Sequence, residues 1–310
     1  MILHGIAFIF FILCFLFGMT WLRSGLFNIA NQKIKTWLHY LTSTPVKGVM
    51  TGTVVTAFIH SSSAVMVLTV GLASSGLIPF RQTIGIMLGS NIGTTFTLEM
   101  FTLDMNYLIV PSMIIGCVLY FFRSPQIRSS GMIFIGFGLI FTSIRAIQWL
   151  ATPLTTHESL RSYMIQVNEH LVLALLIGCV LTAIIQSSTV VTGVTMGFLV
   201  AGSIDLHAGI AIMLGANVGT CITAFIASIG GGTQAKLTAY AHIWLNVMGV
   251  ALFIPFIPIL GSVVGTLADS ADLQLAHASV LFNLICSLLV LPFANSFARL
   301  IEKVHLPKKS

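Results

Sequence analysis

Two runs of side chains that could do chemistry stand inside otherwise apolar stretches: His60, Ser61, Ser62 and Ser63 within TAFIHSSSAV, and Gln186, Ser187, Ser188 and Thr189 within TAIIQSSTVV. Hydroxyl groups donate to an oxyanion and accept from a hard cation. If a helix begins at each run, its first N–H groups lack intrahelical partners, and with the positive end of the helix dipole they favour an anion. Gln186 adds amide donors, while its carbonyl and the hydroxyl oxygens suit sodium, expected at Ser62, Ser63, Gln186, Ser188 and Thr189. Donors that carry no charge hold an anion without a permanent buried countercharge, so such a site can also be emptied, which suits transport better than storage.

A second motif follows each run by about 30 residues: NIGT, with Asn91 and Thr94, and NVGT, with Asn217 and Thr220. Its glycines permit close helix approach, and its Asn and Thr are candidates to ligate ion or substrate. The competing role for all these small polar residues is to join helices by packing and hydrogen bonds. The chain has no HExxH, no GxSxG and no paired carboxylates inside its apolar runs, so an intramembrane enzyme lacks the groups it would need.

Both motifs align under one ungapped shift of 126 residues, and Gly52 to Thr97 matches Gly178 to Thr223 at 21 of 46 positions. Compositional bias inflates apolar matches, but it does not superpose Asn91 on Asn217 or Ser61 and Ser62 on Ser187 and Ser188. The chain carries an internal duplication.

The elements that must position these residues are membrane helices. Of 310 residues, 56% are hydrophobic and 7% charged, against about 25% charged in ordinary soluble domains. Apolar runs of about 20 residues, the length needed to cross a bilayer core, recur from end to end. The formal charge of +6 comes from isolated basic residues with no stripe or aromatic-interleaved patch, so no nucleic-acid partner is expected. All five cysteines lie in apolar runs without metal-ligand spacing, and neither a disulfide nor a bound cofactor is expected.

We expect a first helix near residues 2–22, retained rather than cleaved, then an interfacial segment to residue 47. Residues 48–169 form a first repeat and 170–310 a second. Each serine run sits mid-way in a segment of about 31–35 residues, too short for two spans and long for one, so each is read as a re-entrant hairpin of two half-helices. Irregular backbone at membrane depth survives only where it is buried in protein or lines a cavity. With the N-terminus outside, this model puts 12 of the 14 basic residues in the cytoplasm, Arg23, Arg81, Lys308 and Lys309 among them and Arg145 and Arg161 excepted, as the positive-inside rule requires. A single crossing by the first serine segment would send Arg81, Arg123 and Arg128 outward. One hairpin plus three spans is an odd number of crossings, so the second repeat is inverted. The expected fold is an all-α integral membrane protein, an inverted-repeat secondary transporter with two re-entrant helical hairpins and about seven spanning helices, its C-terminus cytoplasmic.

Other polar residues have local readings. His60 takes the place of Gln186 and is expected to act as an amide-like hydrogen-bonding group. Glu99 is expected to be interfacial or paired, and Arg145 either to snorkel or to draw anions toward the mouth. His242, Asn246, His277 and Asn283 are expected to join helices through buried hydrogen bonds.

The paired QSS-type runs, each followed by GxNxGT, resemble the type II sodium/phosphate cotransporter family from about Val46 onward. The resemblance implies sodium-coupled symport of inorganic phosphate by alternating access across a bacterial plasma membrane. Its substrate and sodium sites would lie at His60 to Ser63 and Gln186 to Thr189, with Asn91, Thr94, Asn217 and Thr220 in support. The first run departs from the family pattern by carrying His60 where Gln is usual. Many bacterial members add a C-terminal PhoU-like domain, and this chain, ending at Ser310, is expected to act without it. The expected partners are phosphate, sodium as coupling ion, and the lipid bilayer, with a homodimer one assembly open to it. A sodium-independent phosphate or oxyanion channel or exporter, and a proton-coupled anion carrier, remain alternatives.

Overall fold

A computed structural model describes residues 2–155 and 157–306; Lys308 and Lys309, placed above by the charge rule, lie outside them. The described chain is helical throughout: α1 (Ile2–Tyr40), α2 (Pro45–Ile59), α3 (Ser62–Ser74), α4 (Phe80–Phe101), α5 (Asn106–Tyr120), α6 (Pro125–Thr155), α7 (Glu158–Glu169), α8 (Leu171–Ile185), α9 (Ser188–Val200), α10 (Leu206–Gly219), α11 (Cys221–Ser228), α12 (Gly232–Phe253), α13 (Ile257–Leu267), α14 (Ala271–Val290) and α15 (Ala294–His305). Single 3-10 turns at Pro255 and Pro292 join α12 to α13 and α14 to α15. Proline removes a backbone donor, and there the long C-terminal helices change character without stopping. Five helical stretches are long and apolar enough to cross a membrane, or seven if two bent pairs each count as one span.

The first helix differs from expectation. It does not end near Leu22 but runs unbroken to Tyr40. Its outward face, with Leu3, Ile6, Ile9, Phe10, Leu13 and Phe17, is exposed as a lipid-facing stripe. Beyond Leu22 the inward face continues with Ala30, Ile34 and Leu38, at spacings of four residues, the period that keeps a helical stripe on one side.

Within each repeat the first half-helix lies parallel to the first span, with almost no room between them. Gly89 faces the carbonyl of Val49 and Gly93 that of Thr53; in the second copy Gly215 faces the carbonyl of Leu175 and Gly219 that of Cys179. A Cβ at Gly89 or Gly215 would overlap the facing oxygen, so these positions require glycine. The NxGT glycines are therefore the seam along which hairpin and span meet.

Long-range contacts sort the ends of the bundle. Arg81 pairs with Glu302 at 2.8 Å, and the Phe80 N–H donates to Gln234 Oε1 at 2.9 Å. The starts of α4 and α12, helix α15 and, through Gly48 against Gly85, the start of α2 thus share one end. At the other, Arg145 on α6 bonds Asp104 at 3.1 Å and Asn106 at 2.9 Å. The two hairpins approach the middle of α1 from opposite directions. Ile34 and Leu38, in its C-terminal half, share a core cluster with Val55, Ile59 and Val65 of the first hairpin. In its N-terminal half, Phe8 meets Phe198 in a tilted ring contact and Phe15 covers Gly193 of the second. This is the inverted arrangement expected from the duplication.

Candidate functional site

At the end of α2 the chain turns through His60 with φ 57° and ψ 33°, and at the end of α8 through Gln186 with φ 57° and ψ 28°. These are the two non-glycine residues of positive φ among the described residues. The left-handed region costs an L-residue about 1–2 kcal/mol, and strain of this kind concentrates where a site needs it. Here it stops one half-helix and starts the next within two residues. Ser61 and Ser187 follow in extended conformation as N-caps of α3 and α9, and Ser62, Ser188 and Thr189 are buried in the first turns.

The two tips meet. The Ser63 hydroxyl donates to the Gln186 carbonyl at 3.3 Å, across 123 residues of sequence. Arg23 joins both: its Nε donates to the His60 carbonyl at 2.8 Å and its Nη2 to the Ser187 hydroxyl at 3.3 Å. The charge rule read Arg23 as a topology signal at the end of the first helix; the structure adds that α1 continues past it and that its side chain reaches both hairpin tips. Because α1 does not end at Leu22, Arg23 falls near the middle of a 39-residue helix. An arginine at the centre of a membrane helix costs about 2.5–3.5 kcal/mol on insertion scales. The sequence signal that could have located it is the stripe Ala30, Ile34, Leu38, which carries the helix past it.

The duplicated halves part company around the tips. His60 Nδ1 is hydrogen-bonded to Thr97 Oγ1 at 2.9 Å. In the second copy Gln186 is exposed, and the hydroxyl of Thr223, equivalent to Thr97, is buried without a partner. One turn away, the Thr56 hydroxyl donates to Ser90 Oγ at 2.9 Å. Its equivalent Thr182 is buried without a partner, because alanine stands at 216 where the first copy has Ser90.

Of the four NxGT side chains, Asn91 bonds across to another helix, and the other three bond carbonyls one turn back in their own helix. Asn91 donates to Asn246 Oδ1 at 3.2 Å, and Thr94 to the Ser90 carbonyl at 2.9 Å. Asn217 donates to the Met213 carbonyl at 3.0 Å, and Thr220 to that of Ala216 at 2.9 Å, at the point where α10 gives way to α11. Glu99 pairs with His277 at 2.8 Å. Asn246 and His277 link helices as expected; Asn283 instead bonds Ser279 of its own helix, and the Nδ1 of His242 is buried without a partner.

A cavity of about 360 Å³ opens beside the first tip, lined by the polar groups of Arg23, Ser24, Asn28 and Ser61 among apolar neighbours. Hydroxyls, two helix N-termini and a guanidinium lie together where hairpins of opposite entry meet, and groups of this chemistry suit an anion. This defines the inverted-repeat class of membrane transporters. A family model described as Na+/Pi-cotransporter matches residues 14–149 and 152–268, and the chain belongs to that family.

The chain is 42% identical over 299 residues to "Uncharacterized protein YqeW" of Bacillus subtilis (strain 168), covering 96% of this chain and 97% of that protein. It is 25% identical over 284 residues to "Putative inorganic phosphate export protein YjbB" of Escherichia coli (strain K12), covering 91% of this chain but 52% of that protein, so it spans about half of that relative's length. Over 127 residues it is 30% identical to "Sodium-dependent phosphate transport protein 2C" of Rattus norvegicus, covering 39% of this chain and 21% of that protein. No solved structure matches the chain.

Proposed function

We propose that the protein carries inorganic phosphate across a bacterial plasma membrane by alternating access, in symport with sodium. The observation that carries the reading is the tip-to-tip contact of Ser63 with Gln186, which brings the N-termini of α3 and α9 to one place. Phosphate binds there through Ser61, Ser62, Ser187, Ser188 and the first-turn N–H groups. Sodium sits against the oxygens of Ser62, Ser63, Gln186, Ser188 and Thr189 and offsets part of the anion's charge. Asn91, Thr94, Asn217 and Thr220 support the site from the spans packed behind each hairpin, and residues 48–169 and 170–310 exchange access as two units. The N-terminus lies outside and the C-terminus in the cytoplasm, and two copies form the working assembly. The family description and the rat relative's printed name favour sodium coupling, whereas the Escherichia coli relative's name favours export; gradients set the direction of a reversible carrier.

The test is uptake of radiolabelled phosphate into proteoliposomes of the purified protein under an inward sodium gradient and under an equal potassium gradient. Accumulation above equilibrium in sodium alone is expected. Equal flux in both salts would assign a sodium-independent channel or proton-coupled carrier instead, and no flux in either would remove phosphate as substrate.

A further inference from the structure

Arg23 is the residue this reading leaves unexplained. Among the described residues the carboxylates of Glu302, Asp104 and Glu99 contact Arg81, Arg145 and His277; Arg23 has no carboxylate partner. Its two hydrogen-bond acceptors are a carbonyl and a hydroxyl, both neutral. A guanidinium offers five N–H donors in a planar fork matched to phosphate oxygens, and no further bond to a described residue engages those that remain. The same side chain lines the cavity beside the first tip with Ser24, Asn28 and Ser61. A half-buried cation held only by neutral groups, its remaining donors facing a cavity whose walls are otherwise mostly apolar, is a cation awaiting an anion.

We propose that Arg23 is a substrate-binding residue that holds the phosphate anion directly, in the cavity it shares with Ser24, Asn28 and Ser61. The inference rests on the phosphate reading above. The guanidinium supplies the fixed charge that the hydroxyl tips lack, and its bonds to His60 and Ser187 aim the fork at the junction of the two hairpins.

The experiment compares wild type, Arg23→Lys and Arg23→Gln in proteoliposomes, with phosphate KM and maximal rate measured, and with phosphate protection against thermal unfolding read in detergent. The expected result is a rise in phosphate KM of about tenfold or more for Arg23→Gln, equivalent to about 1.4 kcal/mol. It should come with loss of thermal protection by phosphate, and with partial recovery of KM in Arg23→Lys. Both variants keeping wild-type KM and protection, with only maximal rate or yield reduced, would show a structural staple and overturn the inference while leaving the phosphate reading intact. If Arg23→Gln does not fold, an unchanged KM in Arg23→Lys overturns it and a raised KM supports it. A wild-type protein that neither transports nor is protected by phosphate overturns both readings.

Discussion

The hydroxyl of Ser63 donates to the backbone carbonyl of Gln186 at 3.3 Å, so the tip of one hairpin touches the tip of its inverted copy. The acceptor is a carbonyl released by the left-handed turn, which takes Gln186 out of α8. Strain in one copy thus makes the contact point for the other. At 3.3 Å it is a long hydrogen bond, weaker than one at the usual 2.7–2.8 Å of a hydroxyl donor.

Ser62→Ala and Ser188→Ala, made singly, should each reduce sodium-driven phosphate uptake by about tenfold or more, since a hydrogen bond to a charged group is worth about 1.5–3 kcal/mol. Neither hydroxyl bonds another described residue, so melting temperature should hold. Full uptake by both variants would remove these residues from the site.

Gly89→Val and Gly215→Val should be strongly destabilising, because the added Cβ would overlap the carbonyls of Val49 and Leu175. Overpacking typically costs about 1–3 kcal/mol, and two rigid backbones leave little room for relief. Gly71, on α3, has open space where its Cβ would lie; Gly71→Ala should be neutral or stabilise by about 0.5–1 kcal/mol. Thermal unfolding in detergent separates the cases, and equal melting temperatures for Gly89→Val, Gly215→Val and Gly71→Ala would refute the packing account.

Ala216→Ser should supply the missing partner of Thr182 and stabilise the second repeat by about 0.5–1.5 kcal/mol. Ser90→Ala is the reverse change, leaving the Thr56 hydroxyl orphaned at a cost of about 1–3 kcal/mol. Denaturation of the two variants should shift in opposite directions; shifts of the same sign would mean that the halves do not repeat their packing.

His60→Gln should preserve uptake to within a few-fold, because an amide can take over the hydrogen bond to Thr97, whereas His60→Leu should weaken both transport and stability by about 1 kcal/mol or more. Thr97→Val should reproduce the leucine variant. Phosphate kinetics of the three check this, and a normal His60→Leu would show that the His60 to Thr97 bond has no role in transport.

Much of the architecture is legible in the amino-acid order, because the features involved are local or repeated. Apolar length calls for membrane helices, the 126-residue offset exposes the duplication, and a cluster of capping residues amid apolar runs marks where half-helices break. The glycines of NxGT announce a close approach without naming what they approach. What only the tertiary structure decided is Arg23, Thr97 and the unequal halves. A lone arginine after an apolar run reads locally as a boundary, yet its partners lie 37 and 164 residues away. Thr97 becomes a partner of His60 only when α4 lies alongside α2, and Thr223 loses the matching bond because Gln186 turns outward. Sequence determines which groups can cap, break and pack; which charge meets which tip depends on the depth at which long helices cross, and that is set by packing over the whole bundle.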